Sequence, residues 1–351
     1  VNAALVELAR DGVRRHASLA VGLFVIVAGV LGYGVVRLGQ VRALAGPSLR
    51  IGLVQGNIAQ DQKWRPGLDE HILARYLTLT TTAIKRGAAL VVWPEAAVPF
   101  FLNLDQRTQK LREFVRGTGV PLLLGAPGYE QREGDVPRQY NQAWMITGDG
   151  ELAGPYDKIR LVPFGEYVPW GGLFGLVQKA VEGIGDFGAG TSYVVFDGPP
   201  TAGSTEPTRA SALVCYEAIF PDLTRRFALN GAQLLVNVSN DAWYGRTAAP
   251  YQLLAMIAVR AVENRMPLVR ATNTGVSAVV APDGTITGAT PLFEEALIVE
   301  DVKIVRGASL YTFLGDWLVY ASLALIVGLV VVRIRSGSLL IPAARREILS
   351  S

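Results

Sequence analysis

Three residues have the side-chain types and settings that nucleophilic catalysis needs. Cys215 ends the apolar run Ala210-Ser-Ala-Leu-Val-Cys215 and stands just before a segment with helical spacing. A strand-to-helix turn presents a nucleophile to a cleft, with backbone N–H groups nearby for an oxyanion. A lone cysteine in an apolar strand is more often a small core residue. Reactivity would require a base or a positive neighbour. Histidine is the usual base, yet the chain holds only His16 and His71. His16 adjoins an apolar stretch and His71 lies in a helical pattern as a surface residue, so a carboxylate is the better base.

Glu95 is the first carboxylate that qualifies. It ends Val91-Val-Trp-Pro-Glu95 and is flanked by Trp93 and Pro99-Phe100-Phe101. Desolvation at such a sheet mouth raises a carboxyl toward the range of a general base. A loop glutamate in a surface ion pair is the competing reading. Lys158 lies in Tyr156-Asp-Lys-Ile-Arg-Leu-Val-Pro-Phe-Gly-Glu166. A lysine there stabilises an oxyanion and lowers a thiol pKa, and Glu166 can hold it in place. The apolar, Pro- and Gly-containing surroundings argue against a plain solvated loop. Gly183-Ile-Gly-Asp-Phe-Gly188 has dinucleotide-binding spacing, but no strand precedes it and a β-like run follows, so that reading is rejected. Together Glu95, Lys158 and Cys215 supply a base, an oxyanion stabiliser and a nucleophile without histidine, metal or cofactor.

The elements that must position them alternate. Arg50–Gln55, Ala89–Trp93, Pro121–Gly125, Tyr193–Phe196, Ala210–Cys215, Gln233–Val238, Leu268–Ala271 and Val276–Ala281 read as strands. Leu68–Arg86, Arg107–Arg116, Phe220–Asn230 and Pro250–Glu263 read as helices. The spacing puts Ile72, Tyr76, Leu79 and Ala83 on one helix face, and Leu254, Ile257, Ala258 and Ala261 on another. Gln139–Thr147, the turn Gly148-Asp149-Gly150 and the run from Glu151 make a hairpin. Such a mixture of hairpins and crossovers predicts a layered α/β fold.

Two apolar stretches bracket this region. Of 351 residues, 50% are hydrophobic and 18% charged, with a mean hydropathy of +0.30. That composition excludes a disordered chain and an ordinary soluble one. The 33 basic and 30 acidic residues exclude a chain made of membrane spans alone. A net charge of +3 is too small and dispersed to indicate nucleic acid. One cysteine excludes an intramolecular disulfide and a cysteine-cluster metal site. Residues 17–36 carry no charge, and about twenty helical residues span about 30 Å, the thickness of a bilayer's hydrocarbon core. A signal peptide is the competing reading, with Ala43 and Ala45 as small residues behind it. The second stretch is residues 310–332, interrupted by Asp316 and followed by Arg333, Arg335, Arg345 and Arg346. The positive-inside rule makes residues 333–351 a cytoplasmic tail and places residues 50–305 outside the cytoplasm. Because the chain begins with Val1, residues 1–16 are expected to be the remnant of a longer membrane domain.

The combination resembles the nitrilase (carbon–nitrogen hydrolase) superfamily and, within it, the bacterial apolipoprotein N-acyltransferases. The resemblance rests on VQGNIAQDQKW (Val54–Trp64), VVWPEAAVP (Val91–Pro99), YDKIRLVPFGEYVP (Tyr156–Pro169), VCYEAIFPDLTR (Val214–Arg225), and NVSNDAWYG with RATNTGVSA (Asn237–Ala278). It implies an α-β-β-α sandwich flanked by transmembrane helices, with Glu95 as base, Lys158 as oxyanion stabiliser and Cys215 as nucleophile. Glu166, Tyr216 and Glu217 match supporting positions, and Trp64 matches a tryptophan on a mobile arm. The implied reaction is ping-pong. An acyl chain passes from a phospholipid to Cys215 as a thioester, then to the α-amine of a diacylglyceryl-cysteine lipoprotein. The implied setting is the bacterial inner membrane, multi-pass, with a monomer expected. The stretch Tyr167–Val177 is expected to contact lipid and guide acyl chains. The family carries several helices before the catalytic domain where one is visible here, and Pro250-Tyr-Gln-Leu-Leu254 stands where many relatives carry histidines. A membrane-tethered amidase with the same triad, or a non-catalytic scaffold, are the alternatives.

Overall fold

The computed structural model describes residues 2–11, 17–44, 46–130, 137–167, 187–305 and 307–335. Two helices, α1 (Asn2–Asp11) and α2 (Ala17–Arg42), come first. β1 (Ser48–Gln55), α3 (Gln60–Lys63), α4 (Asp69–Lys85), β2 (Leu90–Val92), α5 (Arg107–Thr118) and β3 (Leu122–Glu130) follow. β4 (Arg138–Ile146), β5 (Leu152–Asp157), β6 (Val195–Pro200) and β7 (Pro207–Val214) lead to a 3-10 turn at Cys215–Ile219. Next come α6 (Pro221–Leu229), β8 (Leu234–Ser239), a second 3-10 turn (Asp241–Tyr244), α7 (Ala249–Asn264) and β9 (Leu268–Thr272). β10 (Ala278–Val280), β11 (Ile286–Thr287), β12 (Ala296–Lys303), α8 (Leu310–Leu314) and α9 (Trp317–Arg335) complete the described chain.

Among the described residues the strands form two six-stranded sheets, ordered β12-β1-β2-β3-β4-β5 and β11-β10-β9-β8-β7-β6. Both sheets share one plan. Their centres are parallel, β1-β2-β3 and β7-β8-β9, because α4, α5, α6 and α7 supply the crossovers that parallel neighbours require. Their margins are antiparallel.

Strand alternation sorts the apolar side chains into layers. Ile51, Leu53, Leu123 and Met145 from one sheet meet Ala212, Val214, Val236 and Val238 from the other in a shared core. Leu223 and Phe227 of α6, with Leu254 and Ile257 of α7, extend that core over the second sheet. Val54, Val91 and Leu122 face the other way and pack with Ile72 and Tyr76 of α4 and Leu111 of α5. The result is the expected α-β-β-α sandwich. On α4, Ile72, Tyr76 and Ala83 are buried and Leu79 is partly buried, while His71 is exposed.

Three features differ from expectation. β3 continues to Glu130 because β4 pairs with it along its whole length, from Leu122↔Ile146 to Glu130↔Arg138. β12 was not anticipated; of its side chains only Ile298 and Val302 are buried, too few to mark a strand by alternation. The apolar run that starts at Leu310 is two helices, broken at Gly315 with a φ of 58°.

α2 and α9 bury no residue and are long and apolar enough to cross a membrane. α8 instead belongs to the sandwich. Ser309 caps it, accepting from the Thr312 N–H at 3.0 Å. Arg225 donates to the carbonyls of Tyr311 and Phe313 at 3.2 and 2.7 Å. Thr312 donates to Asn264 at 3.3 Å. At the end of α2, Arg42 pairs with Asp283 at 2.9 Å, beside Gly284, whose Cα faces Val262 of α7. Both apolar helices therefore join the sandwich near the C-terminal end of α7.

Candidate active site

Glu95 follows β2 by way of Trp93 and Pro94. Trp93 is fully buried and its indole N–H donates to Thr80 at 2.7 Å, which fixes the strand end. The next residue, Ala96, has a φ of 44°, a left-handed conformation that costs an alanine about 1 kcal/mol or more. Gly125 of β3 passes directly beneath; a Cβ there would lie 2.6 Å from Glu95 Cα. Buried to 8% exposure, the Glu95 carboxylate accepts the Asn141 amide at 2.7 Å on Oε1 and the Asn240 backbone N–H at 2.8 Å on Oε2.

Lys158 stands just past β5, its N–H bonded to Asn141 O at 2.8 Å. Its ammonium is buried, donates to Glu166 Oε1 at 2.8 Å and lies 5.4 Å from the centre of the Tyr216 ring. Burial opposes the charge, but Cys215, Glu95 and Glu166 together outweigh it and hold Lys158 above its ordinary range. Glu166 also accepts the Val162 N–H at 2.8 Å and the Asn141 amide at 3.0 Å. The Asn141 amide thus bridges Glu95 and Glu166.

Cys215 starts the first 3-10 turn with a φ of 58°. The Asn237 amide donates to the carbonyls of Leu213 and Cys215, each at 2.9 Å, and so grips the chain on both sides of the bend. Asn237 in turn accepts from Arg270. Arg270 pairs with Asp241 at 2.7 Å, both side chains fully buried. Behind the thiol, Glu217 accepts the N–H groups of Ile159, Arg160 and Val214 at 2.6, 2.8 and 2.9 Å and the Tyr156 hydroxyl at 3.0 Å. It ties the Lys158 loop to the strand end that carries Cys215. Burial pushes the Glu217 carboxyl up to about 7 against the pull of Lys158 and those N–H groups. Tyr216 donates to Leu161 O at 2.7 Å on the same loop.

Glu95, Lys158, Cys215, Glu166 and Trp64 line one cavity of about 880 Å³. Pro99, Phe101, Phe187 and Trp243 give it an apolar wall. Trp64 is half exposed on this cavity, directly after α3. Tyr216 and Glu217 stand behind it as braces. Burial, and then the charge of Glu95, push the Cys215 thiol up to about 12, while Lys158 draws it down. A neutral thiol beside a carboxylate is the arrangement in which the carboxylate takes the proton as the sulfur attacks. Among the described residues no cluster of three or more His, Cys, Asp or Glu is suited to a metal ion.

Sequence reasoning missed Lys63, Asn141, Asn240 and the Arg270–Asp241 pair. Lys63, Asn240, Asp241 and Arg270 sit inside quoted motifs, where only burial distinguishes them from surface polar residues. Asn141 sits in a hairpin strand with no local signal. Of the stretch Tyr167–Val177, residues 168–177 lie outside the described residues, as do His16 and residues 183–186 of the glycine pattern.

A family model described as carbon–nitrogen hydrolase matches residues 50–310. An apolipoprotein N-acyltransferase of Geobacter metallireducens is 40% identical over 304 residues, covering 86% of this chain and 56% of its own. One of Brucella suis is 38% identical, covering 78% and 52%. One of Rhodopseudomonas palustris is 32% identical, covering 95% and 62%. The chain thus spans roughly half to three fifths of the length of these curated relatives. Among solved structures, a mutant of an amidase from Nesterenkonia sp. AN1 with acrylamide added at its active-site cysteine superimposes with a TM-score of 0.55 at 25% identity, covering 78% of this chain and 99% of that one. A mutant of the same amidase in complex with butyramide gives 0.54 at 26% identity, covering 74% and 92%.

Proposed function

Since the chain belongs to the carbon–nitrogen hydrolase family, we propose that it is the catalytic portion of an apolipoprotein N-acyltransferase, with Cys215 as nucleophile, Glu95 as base and Lys158 as oxyanion stabiliser. One observation carries the assignment of roles: the sole cysteine, in a left-handed bend, shares a partly apolar cavity with a carboxylate and a buried ammonium. Relatives named for that activity support the choice of reaction.

In the first half-reaction Glu95 takes the Cys215 proton as Sγ attacks an ester carbonyl of a phospholipid. The negative charge that develops on the carbonyl oxygen is met by Lys158. The C–O bond breaks, the departing alkoxide receives the proton from Glu95, and a lysophospholipid leaves a thioester. In the second, the α-amine of a diacylglyceryl-cysteine lipoprotein attacks the thioester carbonyl. Glu95 takes a proton from the nitrogen and hands it to the sulfur as the C–S bond breaks, giving an N-acyl lipoprotein and the free thiol. Glu166 and Asn141 fix the ammonium and the carboxylate relative to each other. Glu217 and Tyr216 hold the Lys158 loop against the nucleophile's strand, and Trp64 stands where an acyl chain enters.

α2 and α9 support a membrane setting. With both as spans, the ends next to the sandwich lie on one side of the bilayer. The arginines at the end of α9, Arg333 and Arg335, favour the cytoplasm for the other side. The catalytic domain then faces the outer side of an inner membrane.

An amidase with the same triad, the alternative reading, would also form an acyl-enzyme on Cys215 but use water in the second step. Intact-protein mass spectrometry after incubation with phospholipid vesicles separates the readings. The expected result is a hydroxylamine-labile gain of one acyl chain on Cys215, discharged by a diacylglyceryl-cysteine peptide. A folded, membrane-inserted protein that forms no adduct would overturn the proposal. An adduct discharged equally well without the peptide would favour hydrolysis.

A further inference from the structure

Lys63 is the second buried ammonium in the cavity and the mechanism above leaves it unused. It ends α3, is 1% exposed, and donates to the Glu95 backbone carbonyl at 3.0 Å. That carbonyl belongs to the peptide leading into the left-handed bend at Ala96. α3 is tied to Glu95 a second time: Gln60 accepts the Asn240 amide at 2.9 Å, and the Asn240 N–H donates to Glu95 Oε2. Trp64 follows Lys63 directly. Burying a lysine costs free energy unless its charge and donors are used.

The geometry points to Lys63 as a positioning residue for the base: it holds the strained Glu95–Ala96 turn through the carbonyl and places a second buried positive charge beside it. This rests on the reading of Cys215 and Glu95 given above. Groups facing Glu95 come from several elements. Lys158 and Glu166 lie on the loop after β5, and Cys215 at the end of β7. Tyr244 lies in the second 3-10 turn, and Asn141 and Asn240 make the direct bonds. Of the two cations, Lys158 is committed to Glu166. Lys158 is also coupled to Cys215 and Glu95, and Lys63 adds a further positive charge on the α3 side. Burial draws the Lys63 ammonium down to about 8 while Glu95 draws it up, so it is charged below that pH. Because Trp64 shares the α3 turn, a shift of this arm would move the Lys63 donor and change the support of the base.

Cys215 is the sole cysteine, so whole-protein alkylation by iodoacetamide reports on it alone. Its rate is measured against pH beside acyl transfer, in the membrane-inserted chain. Lys63→Met is expected to move the acidic limb of the alkylation profile up by about one pH unit, as loss of a nearby opposite charge does. It should also lower kcat about tenfold with little change in KM. Lys63→Gln, which keeps a donor for the Glu95 carbonyl but no charge, should move the limb likewise. Lys63→Arg should leave it in place. A limb unmoved in both Lys63→Met and Lys63→Gln, with only a uniform loss of rate, overturns this inference and leaves the catalytic reading standing. A wild-type thiol with no pH-dependent reactivity overturns both. Should Lys63→Met fail to fold, the Gln and Arg pair decides on the same criterion.

Discussion

Cys215 sits at a φ of 58°, a conformation rarely adopted by residues with a Cβ. It persists because Asn237 grips the carbonyls before and at the bend and Glu217 grips the Val214 N–H. The electrostatics around the thiol lead to an expectation that runs against simple intuition. Glu95 raises the thiol pKa and Lys158 lowers it, after burial, which raises it most. Glu95→Gln removes the negative neighbour, so the thiol should ionise at a lower pH than in the wild type. The same change removes the proposed base and should slow the proposed acyl transfer by about 10²–10⁴-fold. Lys158→Met should have the opposite effect on the thiol, moving its ionisation to higher pH, while also lowering the rate. Ultraviolet titration of the thiolate, read beside turnover, checks both signs. If Glu95→Gln raised the thiol pKa, the assigned coupling between these groups would be wrong.

At the scale of elements, the site is assembled where two central parallel strands and one antiparallel edge strand end. β2 delivers Glu95, β7 delivers Cys215, and the loop after β5 delivers Lys158. These ends were legible because each apolar run stops at a chemically distinctive residue. What holds the ends was not. The Arg270–Asp241 pair joins the middle of β9 to the turn after β8, and through Asn237 it reaches Cys215. In sequence Arg270 looks like any charged residue in a strand, and only its complete burial shows its role. Arg270→Met leaves Asp241 buried and unpaired and should cost about 3–5 kcal/mol, read from denaturant midpoints. Adding Asp241→Leu should recover part of that loss while turnover stays low, because Asn237 remains without its anchor. Full recovery of turnover in the double variant would show that the pair stabilises the sandwich without orienting Cys215.

At the scale of the whole molecule, two βαβαβ halves face each other and each contributes residues of the candidate site at its strand ends. That plan was readable from the alternation of apolar runs and amphipathic helices. The edge strand β12 was not, since a strand with one exposed face and few buried residues carries little periodic signal. Yet β12 determines how the domain is attached. The chain enters the sandwich through β1 and leaves through β12, and the two pair side by side from Ser48↔Lys303 to Gln55↔Ala296. Entry and exit are therefore neighbours, and the domain is a cassette inserted between α2 and α9. Tension that drew the two helices apart would act on the Ser48–Lys303 end of that ladder and open it one rung at a time, instead of shearing all its hydrogen bonds at once. In a single-molecule pulling experiment with handles on α2 and α9, β12 should peel away at low force before the two sheets separate. The covalent boundary of the catalytic domain is then also its mechanical fuse.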